Sequence, residues 1–427
     1  MDRSLAPKVQ NKIELTKLSV EKQTLNGVEI NYVNGGSAPL LKLELIYNAG
    51  SKYQSQPLVA SLAFDILKDG SEQLNGTSFK EAINGLGVYY GFEISKDFGT
   101  LSFYVLERNL NELLQIIKDV IISPHLPERE FNRLRLKQKN EFLIDCEKTS
   151  FLARQKFAEV LFNESQYGKV AHYEDFDKVE YSMSVNYIHE KIIASPFKFL
   201  ISGCISDQSK SLVTSFVQSL PISNKGEKEN ARKPKAKLGK HIIPKDAEQC
   251  SIMLGKILPS KTHPDFHKIS IANTLLGGYF GSRLMQNIRE EKGWTYGIHS
   301  SILGYENATS LVIASDILKD KGEAAFDEIR KEIIHLQTEL IPLEELDVLK
   351  NYLKGKLLKS FDGAFEQIDR FFAVDAFGLN WSYYDDYIQT LSHITPQDIQ
   401  YAAEKYFKWE EFVLVQAGGM NEKSPHK

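Results

Sequence analysis

The feature that most constrains the fold of this chain is a weak internal repeat. Leu126-Pro127-Glu128-Arg129-Glu130-Phe131-Asn132-Arg133-Leu134 opens one helical stretch, and Ile341-Pro342-Leu343-Glu344-Glu345-Leu346-Asp347-Val348-Leu349 opens another. The prolines (127 and 342) and the glutamates (130 and 345) are both 215 positions apart. A strand-like run precedes each, Leu101-Ser102-Phe103-Tyr104-Val105 and Leu311-Val312-Ile313-Ala314. Between run and proline lies an amphipathic helix, with apolar Leu110, Leu113, Leu114 and Ile117 in one copy and Phe326, Ile329 and Ile333 in the other. Proline is favoured at any helix start, but three elements in matching order and spacing point to a duplicated unit. Strands open each half: Val28-Glu29-Ile30-Asn31-Tyr32-Val33 and Leu41-Lys42-Leu43-Glu44-Leu45-Ile46-Tyr47, then Ala247 to Gly255 in the second. The predicted class is α+β: two homologous halves, each an antiparallel sheet covered on one face by helices.

Residues 222–240 are polar, highly charged and nearly free of large apolar groups, which predicts a solvated linker close to the midpoint. The chain then divides into an N-terminal half 1–221, the linker 222–240, and a C-terminal half 241–427. A net charge of −4, from 52 basic and 56 acidic residues, gives no pull toward nucleic acid or an anionic membrane. The three cysteines, Cys146, Cys204 and Cys250, are far apart and odd in number, which fits a reducing compartment better than a disulfide framework. The N-terminus has no apolar signal-like core and no stretch approaches about 18 apolar residues. The expected location is cytoplasmic, or periplasmic if a signal peptide has been removed.

Two stretches carry candidate chemistry. The first, Gln56 to Ser71, predicts a short helix with Pro57 in its first turn and Gly70 at its stop. The second runs from Leu275-Leu276-Gly277-Gly278-Tyr279-Phe280-Gly281-Ser282-Arg283-Leu284 through Arg289 to Gly293-Trp294-Thr295-Tyr296. Here a helix from about Ser282 carries Arg289 near its end, Gly293 breaks it, and Tyr296 starts a strand. Seven residues on a straight helix would hold Arg289 and Tyr296 about 10 Å apart; the break allows both to meet one ligand. The Gly277-Gly278 pair is too short for a phosphate-binding loop, which argues against a nucleotide enzyme. His263 and His267 have zinc-like spacing, but Pro264 and Asp265 place His263 at a helix cap, so a regular two-histidine face is not expected. His172 and His189 have no partner at ligand spacing.

The Leu275–Tyr296 stretch strongly resembles the second-half signature of the pitrilysin/insulinase (M16) family of zinc peptidases. The resemblance covers most of the chain; it is specific in 263–300, positional in 57–71, and weakest in 1–25 and the linker. It implies the LuxS/mitochondrial-processing-peptidase-like metallohydrolase fold. Active members carry HxxEH on a helix shortly before a Gly-Ser/Thr, the histidines binding zinc and the glutamate polarising its water. With Gly70-Ser71 setting the register, Ser61 and Asp65 take the histidine positions and Phe64 the glutamate position. Serine is a poor zinc ligand, Asp65 alone offers one oxygen, and a phenyl ring accepts no proton. Glu141, where the family places its third ligand, then reads as a solvated or salt-bridged helix residue. The resemblance thus implies no metal in this chain and zinc in a partner subunit.

In the family an arginine and a tyrosine, matched here by Arg289 and Tyr296, reach from the half opposite the zinc to the bound peptide. A tyrosine hydroxyl there donates to the developing oxyanion, and an arginine fork holds carbonyls or a carboxylate; Gly277 and Gly278 join the implied substrate-binding set. The implied activity is that of a non-metal-binding subunit, inactive alone, of a heterodimeric zinc metalloendopeptidase that supplies Arg289 and Tyr296 in trans to an HxxEH-bearing partner. The alternative is a purely structural or substrate-holding subunit, of the processing-peptidase α or respiratory-complex core type. A self-sufficient metallopeptidase is opposed by Ser61 and Phe64.

Overall fold

The structure, a computed structural model, describes residues 14–223 and 232–419. Strands β1 (Val20–Leu25), β2 (Val28–Asn34), β3 (Leu40–Tyr47), β4 (Tyr89–Ile94), β5 (Gly99–Leu106) and β6 (Phe197–Gly203) form one sheet, in the order β1-β2-β6-β3-β5-β4. Strands β7 (Gly239–Ile243), β8 (Gln249–Leu258), β9 (Ile298–Tyr305), β10 (Ala308–Leu318) and β11 (Val413–Ala417) form another, in the order β7-β11-β8-β10-β9. Leaving out β1, the second order repeats the first strand for strand. The α+β class stands, with one amendment to the antiparallel expectation: β2–β6 and β7–β11 are parallel. The last strand of each sheet returns through a long helical crossover and inserts between two strands already made, which forces it to run alongside one of them.

Eight helices belong to the first part of the chain: α1 (Val59–Leu67), α2 (Gly76–Gly85), α3 (Leu110–Ile122), α4 (Glu128–Cys146), α5 (Thr149–Leu161), α6 (Asp175–Lys178), α7 (Tyr181–Lys191) and α8 (Asp207–Gln218). The second part contributes α9 (Phe266–Gly277), α10 (Gly322–Thr338), α11 (Leu343–Lys359), α12 (Ala364–Asp375), α13 (Ser382–His393) and α14 (Pro396–Tyr406). The 215-residue spacing recurs in the starts of α4 and α11 (128, 343), α5 and α12 (149, 364), and α7 and α14 (181, 396).

Each sheet is covered on both faces, not one. Alternation along β3 sends Leu41, Leu43, Leu45 and Tyr47 into the core shared with α1, α3 and α7, while Lys42, Glu44 and Ile46 point the other way. That other face is closed by α12, from the far end of the chain, whose Ala364 and Ile368 pack on Val33, Ile46 and Leu200. In return α5 lies on β8 and β11, with Ala153, Phe157, Val160 and Leu161 against Val312, Val413 and Val415. The two halves have therefore exchanged one covering helix each.

The exchange buries charge, and the partners come from opposite halves. Lys42, 5% exposed, meets Glu44 at 3.1 Å and Asp369 of α12 at 2.5 Å. Burial works against its ammonium, but the two carboxylates outweigh it and hold the pKa above the ordinary lysine value. Asp375 takes Lys22 at 2.8 Å and also pairs with Lys198. Gln367, 2% exposed, accepts from Leu18 N–H at 2.7 Å and donates to Thr16 O at 2.9 Å, which fixes the N-terminal segment to α12. At the opposite seam Lys52 meets Asp97 at 2.9 Å and also pairs with Glu306 of the β9–β10 turn. Tyr167 donates to Asp97 at 2.6 Å, and Glu306 N–H to its other oxygen at 3.1 Å. Removing one member of such a buried set typically costs about 3–5 kcal/mol, because it strands the remaining charge.

Of the predicted linker, 224–231 lies outside the described residues. Its later part is bound to the end of α5, through Lys235 N–H to Asn163 O at 2.9 Å and Lys237 N–H to Val160 O at 2.8 Å. Gly239 and Lys240 already belong to β7, so the solvated stretch is shorter than its composition suggested. Among the described residues no helix is long and apolar enough to cross a membrane.

Helix exchange predicts that the connection at 224–231 is dispensable for association. After cleavage at a protease site engineered there, the two fragments should co-elute as one particle in gel filtration and separate only in denaturant. Elution as two folded half-size species would show that the exchanged helices do not hold the halves together.

Candidate functional site

Helix α1 starts from Leu58, which takes a left-handed conformation (φ 77°), so Pro57 precedes the helix cap and does not lie in the first turn. The face toward the sheet is apolar; Ser61 and Asp65, one turn apart, look toward α4. Ser61 Oγ donates to Leu58 O at 3.0 Å and lies 3.4 Å from Gln138 Oε1. The amide of the same Gln138 donates to Asp65 Oδ2 at 2.8 Å, and Asp65 Oδ1 pairs with Lys68 at 2.6 Å. Glu141 stands one turn further along α4, 56% exposed and 3.7 Å from Lys137. Phe64 is 2% exposed, and a Cβ added at Gly99 would fall 2.1 Å from its Cζ. The ring thus rests on bare backbone of β5 and fills the space into which a catalytic carboxylate would have to project.

This donor set does not fit zinc. A hydroxyl already used at Leu58 O, a carboxylate shared between Lys68 and Gln138, and a buried phenyl ring leave no second strong ligand beside Asp65. Among the described residues no group of three or more His, Cys, Asp and Glu is placed to hold a metal ion. His263 and His267 do not share a ligand face: His263 Nδ1 accepts Asp265 N–H at 3.1 Å before the helix begins. His267 packs edge-on against Tyr383 and Tyr387, with centroids 4.5 and 5.4 Å away, and burial lowers its pKa. His172 pairs with Glu159 at 3.2 Å.

The Arg289 segment departs from expectation. Met285–Glu291 is a π-helical turn, with Lys292 N–H bonding Asn287 O at 3.1 Å, where an ordinary helix end was expected. Such wide turns are uncommon and recur at functional positions. Gly293 (φ 65°) does end the segment. Tyr296 then lies in the loop before β9, which starts only at Ile298. That loop is pinned: Thr295 Oγ1 bonds Asp316 O at 2.7 Å and Ser315 Oγ bonds Gly297 O at 2.8 Å. Tyr296 itself is 92% exposed, far more than any other large apolar or aromatic side chain described. The Arg289 guanidinium sits over the Phe280 ring at 4.7 Å and 3.5 Å from Glu290. No hydrogen bond or ring contact joins Arg289 to Tyr296 among the described residues. Sequence reasoning missed Gln138 and Phe280. Gln138 was findable, since it lies one turn before Glu141 on the same helix; nothing in the spacing marks Phe280.

The glycine pair has a packing role that the sequence reading did not assign. Gly277 is buried, and a Cβ there would meet the Ser300 Cβ of β9 at 2.7 Å, so glycine lets the end of α9 touch the sheet. Gly278 caps the helix, with its own Cβ position 2.6 Å from Thr274 Cα.

Comparison with known proteins bears out the resemblance to the M16 family. Residues 186–353 match a family model described as the peptidase M16 inactive domain. An uncharacterized zinc protease, YmxG, of Bacillus subtilis is 22% identical over 354 residues, covering 81% of this chain and 85% of that protein. A non-peptidase homolog, YmxG, of Helicobacter pylori is 20% identical over 337 residues, 77% of each chain. A solved structure titled as a peptidase M16 inactive domain from Pseudomonas fluorescens superposes with a TM-score of 0.86 at 22% identity, over 96% of this chain and 100% of that one.

The packing around Phe64 predicts that the zinc motif cannot be restored by its three side chains alone. Ser61→His/Phe64→Glu/Asp65→His should lose at least about 3 kcal/mol in urea unfolding, since it empties a buried ring site and places a carboxylate there. Zinc titration calorimetry of the folded fraction should show no tight 1:1 site. A tight site without loss of stability would refute this account.

Proposed function

We propose that this M16-type chain is the metal-free member of a two-chain peptidase, lending Arg289 and Tyr296 to the zinc site of an HxxEH-bearing partner that cleaves peptides. The observation that carries this reading is Tyr296: a ring 92% exposed on a loop anchored by Thr295 and Ser315. A tyrosine held out on an anchored loop, with no hydrogen bond or ring contact among the described residues, is suited to act on another molecule. Beside it runs β9, an edge strand of its sheet, whose unpaired backbone groups suit an extended peptide. Arg289 supplies a fixed fork nearby in sequence, steadied by Phe280. The donor chemistry at Ser61, Phe64 and Asp65 supports placing the zinc in the partner.

In this reading Tyr296 donates its hydroxyl to the oxyanion formed when water adds to the scissile carbonyl, and Arg289 holds a carbonyl or carboxylate of the peptide. Gly277 contributes by setting α9 against β9, and Gly278 by closing that helix.

Mixing this chain with the HxxEH subunit should create peptidase activity that neither shows alone. Tyr296→Phe keeps the ring and should leave assembly and zinc content unchanged while lowering kcat by roughly 10²-fold. Arg289→Lys should weaken both substrate binding and turnover. Assembly with kcat within a few-fold of the parent in Tyr296→Phe would favour the purely structural or substrate-holding subunit.

A further inference from the structure

A cavity of about 220 Å³ opens between α9, α11, α12 and α13, lined by neither Arg289 nor Tyr296. Its charged lining is wholly cationic: Lys261, Lys356 and Arg370. Nearby, Lys268 pairs with Asp398 at 2.8 Å and Arg283 with Glu345 at 2.8 Å, whereas Lys350, Lys354 and Lys359 of α11 have no such partner among the described residues but do not line the cavity. Among the described residues, none of the three pocket cations has a carboxylate within 4.0 Å. Tyr383, Tyr384 and Tyr387 form an aromatic wall, and Ser270, Thr274 and Ser360 add hydroxyls. Burial pushes the phenols of Tyr384 and Tyr387 up to about 12; Tyr384 already donates to Arg370 O at 2.8 Å, which leaves the hydroxyl of Tyr387 to donate into the space. Cationic heads, a phenol donor and apolar Leu353 and Leu357 thus converge on one space that no carboxylate of the described residues lines.

The repeat gives this place a meaning. The 215-residue spacing that relates α4 to α11 puts Lys356 where Glu141 stands and Leu353 where Gln138 stands. Helix α9 follows β8 as α1 follows β3, and its Ser270 and Thr274, one turn apart, line the cavity. The pocket is therefore the second half's counterpart of the altered metal position, with the sign of its charge reversed.

We propose that this pocket binds a small organic anion, a phosphate or carboxylate group carried on a short apolar body. The anion sits between Lys261 at the inner wall and Arg370 and Lys356 at the exposed rim; the apolar part lies against the tyrosines and leucines. The volume exceeds that of a bare inorganic oxyanion, and the ring-lined wall selects for the attached body. Lys261 donates to Ala373 O at 2.7 Å and lies over the Phe377 ring at 4.5 Å. Burial first, and then Arg370, lower its pKa to about 8. The other titratable groups around it are Lys356 of α11, the three tyrosines of α13, and, behind them, His267 of α9 with Asp386. A bound anion favours the ammonium, so binding takes up a proton and weakens as pH rises through about 8.

The test uses this chain alone, so its outcome is independent of any zinc-bearing partner. Phenyl phosphate is titrated calorimetrically at pH 7 and pH 9, with benzyl alcohol as the uncharged control. Saturable 1:1 binding of phenyl phosphate, none of benzyl alcohol, and weaker binding at pH 9 are expected. Lys356→Gln/Arg370→Gln changes two exposed side chains, should leave the circular dichroism and melting curve unchanged, and should weaken binding at least tenfold. Lys261→Met should abolish the pH dependence. Absence of 1:1 binding, or binding unaltered by the rim double variant, would overturn the proposal.

Discussion

Everything in this molecule depends on the two helices traded across its midpoint. A sheet buries one face under its own helices and must cover the other or leave a broad apolar surface in water. Here α5 covers β8 and β11 of the second sheet, and α12 covers β2 and β6 of the first. Because each cover belongs to the other half, neither core is complete alone. The charges at the seam follow from the same arrangement. Lys42 on β3 is tolerated at 5% exposure because α12 brings Asp369 to it, and Lys52 is tolerated because the β9–β10 turn brings Glu306. The joint is fixed by apolar area and made specific by ion pairs, each of which would be costly if left half-made.

The repeat was legible because it lies in local signals: a proline at a helix start, an apolar stripe, a run of branched residues. These placed α3, α4, α10 and α11 and the strands before them, and the α+β class followed. The exchange was not legible. Nothing in the stripe of α5, Ala153, Phe157, Val160 and Leu161, says which sheet it will meet, since an apolar face carries no address. The parallel pairs were hidden for a similar reason: β6 and β11 look like any buried strand, and their direction is set by where a distant strand leaves room. The wide turn at Met285–Glu291 also escaped, because its apolar spacing differs from an ordinary helix by a single residue.

The two candidate stretches differ in how much of their chemistry could be read. At 61–65 the residue types alone removed the metal ligands, and the structure added what replaced them: Gln138 tying Ser61 and Asp65 to α4, and Phe64 seated on Gly99. The former site has become a piece of packing. At 289–296 the sequence named two side chains but not their setting, and the setting is what separates a surface residue from a presented one. A ring pushed into water normally relaxes onto nearby apolar surface; Tyr296 does not, and its neighbours are both tied down, Thr295 by its hydroxyl to Asp316 O and Gly297 by its carbonyl to Ser315 Oγ.

The traded helices also bear on how the chain is made. Synthesis is vectorial, and domains usually close as soon as their last residue leaves the ribosome. The first sheet cannot gain its second cover until α12, at Ala364–Asp375, has emerged, long after its own six strands are complete. The second cannot place its inner strand until β11, at Val413–Ala417, is made. Until β8, at Gln249–Leu258, is made, the four apolar side chains of α5 have no second sheet to cover, and the surface they meet is complete only with β11. A chain that holds apolar faces uncovered while synthesis continues is exposed to association with other chains for that time.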